Sequence, residues 1–535
     1  MNERQIKNAY GRRPERPTYE MSMNRRRFLK GSTAVAGALA WPYAAGAADD
    51  RILRIAAKND FQVLDPAFSS TVAESDIQDS IYVRLIAYNG KAWETELDGA
   101  ASIEQSDATH IKFALRPGIG WTNGFGEVTA EDVKYSYERI ADPAMGSPWK
   151  GDWETLERVD VLNEREGVIV LKQPFAPLWR TTLPWNAGLI VCKQAVEQVG
   201  GRFTTQPPAE SGPYFVKDWR PKQQTVLARN PSWNGRQPYF DEVHVFPIDD
   251  RQVAEAGFLA GEFDFINVAP SSLAVYADNP PKGVTIDPRA MVGMQWLGMN
   301  TEHDLFKDVR VRYAVGKAID IDAVVNAGYF GGATRATGVI AQGLPGHRTE
   351  SPYGPRDVEG ARRLLEDAGV GGGFTARLSI INETDLLTMA QVIQANLAEV
   401  GITIEIEPLE SGAFWTLGVE ESGDTWKDLQ MFIHRWGNGP DPSWATKFYT
   451  CDGVGQFNWE RWCSEEYTKL NSEAMAELDG DKRAALYERM ATLLDESGAY
   501  VLLTHGVQLL MYREGIVPGV NPDGNRLSFS RFSRA

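Results

Sequence analysis

Two periodicities alternate along this chain. Residues 51–57 (Arg-Ile-Leu-Arg-Ile-Ala-Ala) carry a strand pattern and run into a turn-rich stretch from Asn59 to Pro66. Ser69, Ser70 and Thr71 offer N-caps to a helix through Ile77, Ile81 and Leu85. His110 to Arg116 alternates with period two, and Pro117-Gly118 ends it. Thr129-Ala-Glu-Asp132 forms a capping box before Val133, Tyr137 and Ile140. Further on, 309–319, 358–368 and 386–400 have helical spacing, and the glycines 369–373 end the second of these as a C-cap and turn. A strand over 402–407, a helix over 482–494 and an apolar strand over 500–504 follow. Strands and helices taking turns in this way predict an α/β protein of two lobes.

The first fifty residues do not share that pattern. Arg25-Arg26-Arg27 precede Phe28-Leu29-Lys30, a weakly apolar stretch runs to Trp41, and Ala45-Gly46-Ala47 supplies a cleavage site. Basic, apolar and small-residue regions in that order predict a twin-arginine export signal over 1–47 and a periplasmic mature protein. There is no cysteine beside the site to carry a lipid, so the expected product is free in the periplasm. The 535 residues hold 55 Lys plus Arg against 72 Asp plus Glu, a net charge of −17. Without residues 1–47 the balance is −23. An acidic chain argues against a nucleic-acid-coating surface. No apolar run beyond the signal reaches the roughly 18–20 residues of a membrane helix.

Candidate chemistry is sparse. The six histidines stand apart, and no Cys-x-x-Cys, Gly-x-Ser-x-Gly or phosphate-binding Gly-Lys-Ser/Thr occurs, so no metal, cofactor or nucleophile is expected. A hydrolase built on scattered carboxylates has no local signature and stays open as an alternative. Of three cysteines, Cys192 lies in an apolar run and reads as core. Cys451 and Cys463 are close enough to bridge in an oxidising compartment, which would contribute roughly 3 kcal/mol, or they are two buried thiols. The 16 tryptophans are conspicuous. Each alone reads as packing. Many lie within three residues of Gly or Pro, among them Trp121, Trp149, Trp153, Trp185, Trp219, Trp233, Trp415, Trp436 and Trp444, and together they suit a cleft that holds an organic ligand.

An ordered set of motifs carries a family resemblance. Leu64-Asp65-Pro66 comes first. The run from Phe113 through Arg116-Pro117-Gly118 to Trp121-Thr122-Asn123-Gly124 follows, and then Thr129-Ala-Glu-Asp132-Val133 with Glu138-Arg139. Ser211-Gly212-Pro213-Tyr214, Arg229-Asn230-Pro231, Gly261-Glu262, Asp308-Val309-Arg310 and Ala361 to Gly369 complete it. The chain resembles the large solute-binding proteins of peptide-type ABC importers, extracellular solute-binding family 5. The resemblance implies a two-lobed periplasmic-binding-protein fold of type II, the large peptide-binding class, with a hinge and an interlobe ligand cleft. It implies one lobe of 48–290 plus 505–535 and another of 291–504. It also implies no cofactor, no catalysis, a monomer that is not membrane-embedded, and an inner-membrane ABC permease as partner.

Near the pocket the chain is most similar to the dipeptide-binding branch, through Arg435-Trp436-Gly437-Asn438-Gly439-Pro440-Asp441-Pro442 and the Cys451 to Cys463 loop. Two positions depart from it. Asn438 stands nearest the place of an Asp that meets a peptide's ammonium in that branch. The stretch 380–385 is acidic and lacks the Arg that would meet the carboxylate. Burying an ammonium opposite a dipole alone costs several kcal/mol. Opines, sugar conjugates, modified amino acids and oligosaccharides therefore join peptides as expected ligands. The expected ligand-binding residues are Trp436, Asn438 and Asp441, with Arg435 either an anion donor or a surface residue. Glu383 and Asp385 either face a cationic ligand or serve as helix N-terminal acids. Ser69, Ser70 and Thr71 would offer backbone N–H groups at a helix start, joined by Trp149 and Trp153. A chemosensory accessory protein on the same fold is a second alternative.

Overall fold

The computed structural model describes residues 50–90, 93–276 and 279–535; the proposed export signal lies outside the described residues. Two large sheets organise the rest. The first has seven strands, in the order Val284–Ala290, Val507–Arg513, Phe265–Val268, Ile52–Ala57, Glu242–Pro247, Gln224–Arg229, Tyr214–Arg220. The second has five, in the order Ile402–Leu409, Phe374–Ile381, Met431–Gly437, Gly293–Met299, Tyr500–Thr504. A four-stranded antiparallel sheet, built from Ala100–Gln105, His110–Leu115, Glu166–Leu171 and Leu156–Val161, shares a core with the first. The mixed α/β architecture is as expected, and the helices fall close to their predicted bounds. Val72–Ile81 stops short of Leu85, Val309–Ala318 and Val358–Asp367 match, and the helix expected over 482–494 extends to Gly480–Ser497.

The chain passes from the first sheet to the second between Ala290 and Gly293, and returns between Thr504 and Val507. The two crossings run side by side. Ala290 pairs with Val507 in the first sheet and Gln295 with Thr504 in the second. Between them the Met291 N–H donates to the Gly506 carbonyl at 3.3 Å, and His505 Nδ1 donates to the Gly293 carbonyl at 2.9 Å. Gly506 has φ +82°, a conformation that a side chain would strain.

Each sheet body contains one fully buried Asp–Arg pair. Asp65 accepts two hydrogen bonds from Arg139, at 2.8 and 2.5 Å, which ties the turn after the first strand to the Ala130–Ala141 helix. Asp441 accepts two from Arg483, at 2.7 and 2.6 Å, which ties the loop after Met431–Gly437 to the Gly480–Ser497 helix. Cys451 and Cys463 form a disulfide, and Cys192 is a free, buried thiol. Among the described residues no helix is long and apolar enough to cross a membrane.

Candidate functional site

The residues singled out in the sequence fall into three groups. The first is framework. Asp441 is wholly buried, and besides Arg483 it accepts the Ser443 N–H at 3.0 Å. Burial works against its charge, Arg483 outweighs that, and the pKa falls below the ordinary value. Both oxygens are committed, so the expectation of Asp441 as a ligand contact is corrected to a structural role. Trp153 is likewise core: its ring stacks on Tyr137 at 4.3 Å and its Nε1 donates to the Ala187 carbonyl. Ser69 is buried with its hydroxyl on Gln78 Oε1.

The helix start at 69–71 is also satisfied from within. Glu74 Oε2 accepts the N–H groups of both Ser70 and Thr71, while its Oε1 accepts those of Gln62 and Val63. Burial raises the Glu74 pKa, but these four donors outweigh it and hold the carboxylate below its ordinary value. The N–H groups expected to receive ligand atoms are thus occupied. Thr71-x-x-Glu74 is a capping box readable in the sequence, and it is the signal that this expectation overlooked.

The second group is a charge cluster on the second sheet. Arg435 reaches Glu383 Oε2 at 2.5 Å and Asp385 Oδ2 at 3.5 Å, with side chains between a quarter and two-fifths exposed. Burial opposes the Arg435 charge, and the two carboxylates outweigh it and raise its pKa. Neither reading of Arg435 from the sequence survives unchanged. It is neither a lone surface arginine nor an unpaired anion donor, because the acids of 383 and 385 already face it.

The third group lies where the two sheet bodies meet. Trp436 is half-buried in an aromatic cluster with Trp415 at 5.8 Å, Phe448 at 4.9 Å and Phe457 at 5.6 Å. Two residues on, Asn438 is half-buried and its side-chain oxygen is shielded with no hydrogen-bond partner. From the opposite body, Trp149 donates its Nε1 to the Ser69 carbonyl at 2.8 Å and turns its ring towards Trp444, 6.2 Å away. Gly439 makes room for Trp444, since a Cβ there would lie 2.8 Å from the indole. Trp93 packs against the cores of both bodies.

Two charged side chains that sequence reasoning missed stand at this seam. Lys447 places its ammonium 4.7 Å from the Trp444 ring centroid. Asp152 follows Trp149 by three residues, just as Lys447 follows Trp444. Burial pushes the Asp152 carboxyl up to about 7, with Lys447 and Arg526 pulling it back and Glu154 adding to it. Burial also lowers the Lys447 pKa, against the pull of Asp152 and Glu154. Yet Lys447 is exposed and Asp152 only half-buried. The Trp-x-x-charged spacing, repeated at 149–152 and 444–447, is the one local signal that could have found them.

With this geometry in view, comparison with known proteins decides the family. The model of the bacterial extracellular solute-binding proteins, family 5, matches residues 94–456. The chain belongs to that family. It is 25% identical over 460 residues to a probable di/tripeptide-binding protein 5 of Pseudomonas aeruginosa, covering 79% of this chain and 84% of the relative. It is 24% identical over 456 residues to the glutathione-binding protein GsiB of Salmonella typhi, covering 84% and 88%. Among solved structures, the periplasmic binding protein DppA of Helicobacter pylori, in complex with the peptide STSA, superposes with a TM-score of 0.74 at 22% identity, covering 90% of this chain and 98% of that one. The type II peptide-binding fold expected from the sequence is therefore the fold of this family 5 member.

Proposed function

We propose that this family 5 protein is the periplasmic solute-binding component of an ABC importer, and that it captures a short peptide or peptide-sized polar solute for an inner-membrane permease. The observation that carries this reading is the seam: two sheet bodies face each other with aromatic rings from both and with charged groups that neither body neutralises. Relatives named for di- and tripeptides and for glutathione favour ligands of that size and polarity. We further propose that the lobes are 48–290 with 505–535 and 291–504. The division of all large-sheet strands at 290–293 and 504–507 supports this. Capture then follows from closure, because contacts that exist only when the lobes meet shift the open–closed equilibrium towards the bound state.

The test is a thermal-shift and small-angle-scattering screen of the refolded protein against di- and tripeptides, glutathione, opines and oligosaccharides. A specific ligand at about 100 times its Kd adds about 2.7 kcal/mol of stability. It should also reduce the radius of gyration. Binding without contraction would overturn the closure mechanism, and chemical conversion of the bound compound would overturn the transport reading.

A further inference from the structure

A second recess belongs wholly to the first sheet body. Every residue that lines it comes from 79–236 or 521–531, and its volume of about 300 Å³ is at the lower end of the range for small-molecule sites. Tyr82, Tyr88 and Trp233 give it aromatic walls. Four arginines line it against three acids, and the acids are unevenly shared. Asp79 pairs with Arg84 at 2.6 Å, and Glu96 pairs with Arg531. Asp98 accepts the Arg84 backbone N–H at 3.0 Å. The other two arginines, Arg116 and Arg236, form no ion pair among the described residues. Arg116 donates to the Asp98 carbonyl and to the Asn234 side chain, and its guanidinium lies 5.5 Å from the Trp233 ring centroid. Arg236 is exposed, and its side chain makes no hydrogen bond among the described residues. The chain holds both arginines beside one indole: Trp233 Nε1 donates to the Arg236 carbonyl at 2.9 Å, and a Cβ at Gly235 would run into the ring.

The recess adjoins a smaller cavity of about 10 Å³, the room of about one water. Asp79, Arg84, Tyr88 and Asn521 line both. Two buried N–H donors in this shared wall have no acceptor among the described residues, Arg84 Nε and the Nε1 of Trp185, which lines the smaller cavity. Both residues are more than nine-tenths buried. A buried donor without an acceptor is costly. The surplus of donors thus runs from the unpaired arginines to the inner wall, and it asks for a ligand rich in acceptors. The planar guanidinium fork fits carboxylate and phosphate oxygens. Trp233 offers a flat apolar face beside the unpaired charges.

We propose that this recess is a second ligand site, for a small aromatic anion whose carboxylate or phosphate is received by Arg116 and Arg236 and whose ring lies against Trp233. The site is separate from the seam and does not depend on the solute-binding reading above. Asp79 and Glu96 do not oppose the anion, because Arg84 and Arg531 already neutralise them. One body supplies every contact, so the anion has no differential affinity for open and closed arrangements of the two bodies, and its binding leaves that equilibrium where it was.

The experiment is calorimetric titration of the full protein with benzoate, phenyl phosphate, inorganic phosphate and neutral benzamide, repeated on Arg236→Glu, Arg116→Gln and Trp436→Ala. Benzoate or phenyl phosphate should bind one to one, with benzamide weaker by at least about 10-fold. Arg236→Glu should cost the aromatic anion at least about 10-fold in affinity. The exposed Arg236 side chain has no partner to lose, so that variant keeps the test independent of folding, whereas Arg116→Gln also gives up bonds to Asp98 and Asn234. Small-angle scattering with the anion at saturation should show an unchanged radius of gyration. Binding of neither aromatic anion, or equal binding of benzamide, would overturn the site. Inorganic phosphate binding as tightly as phenyl phosphate would overturn the aromatic part of the assignment. Affinity lost in Trp436→Ala but kept in Arg236→Glu would place the anion at the seam and overturn the second site.

Discussion

The buried Asp–Arg pairs and the seam charges solve opposite problems. Asp65 with Arg139, and Asp441 with Arg483, each join two elements of one body, and every oxygen is used. Among the described residues, neither the Asp152 carboxylate nor the Lys447 ammonium forms an ion pair, and Lys447 instead lies over the rings of Trp444 and Phe448. Charge buried for architecture is neutralised locally, because a carboxylate left unpaired in a core would cost more than the fold can spare. Charge held at a meeting surface is left open and must be completed from elsewhere. The two kinds of aspartate therefore respond in opposite senses to their surroundings: burial with no bonded cation raises Asp152, while Arg483 holds Asp441 down.

The widest gap between the two kinds should show in stability. Arg483→Met strands the Asp441 charge and should cost about 3–5 kcal/mol in urea unfolding, as should Arg139→Met at Asp65. A loss under about 1 kcal/mol would remove the distinction between framework and seam. Next in size is the disulfide, which braces the loop carrying Phe457 beside Trp436. Replacing both Cys451 and Cys463 with Ser should cost roughly 3 kcal/mol, by the entropy of the freed loop. An unchanged midpoint would show that the loop is held by its aromatic contacts alone.

A third test separates buried neutral groups from buried charges. Glu460 receives the Trp296 Nε1–H at 2.6 Å and is raised by burial to about 8, while His434, 4.6 Å from the same indole, is lowered by burial to about 3. A raised acid loses stabilising effect as pH climbs from its ordinary 4.5 towards 8, and a lowered histidine loses it as pH falls from 6.5 towards 3. The two slopes cancel between them. Below pH 4.5 the histidine should therefore cost stability, above pH 6.5 the raised acids should, and Glu460→Gln should remove one proton's share of the alkaline fall. A fall of undiminished size in that variant would exclude Glu460 and leave it to other groups such as Glu210, also raised by burial to about 8. The seam should respond in the opposite sense: Asp152→Asn and Lys447→Met should each leave the unliganded protein at least as stable, because each removes a charge that burial disfavours.

Most of the framework was legible in the sequence. Capping boxes, alternating strands and the cysteine pair are local signals, and they landed within a few residues. The site was legible only in part. Trp436 and Trp149, which lie where the two sheet bodies meet, were singled out because loop tryptophans stand out. Asp152 and Lys447 were not singled out, since the Trp-x-x-charged spacing at each is a faint signal and only the fold brings their two tryptophans together. Ser70, Thr71 and Asp441 have polar groups that the fold already engages. Their polarity was visible, and so was Glu74, the partner that engages the first two from three residues beyond Thr71, whereas Arg483 lies on a distant helix that only the fold brings to Asp441.

The paired crossings at 290–293 and 504–507 have a mechanical consequence. A single thread between two bodies lets them swivel about its length as well as tilt. Two threads hydrogen-bonded edge to edge form a narrow ribbon, stiff within its own plane and pliant only across it. That leaves one easy degree of freedom, like a book opening on its spine. In the closure proposed above, the same two pages would return to the same register.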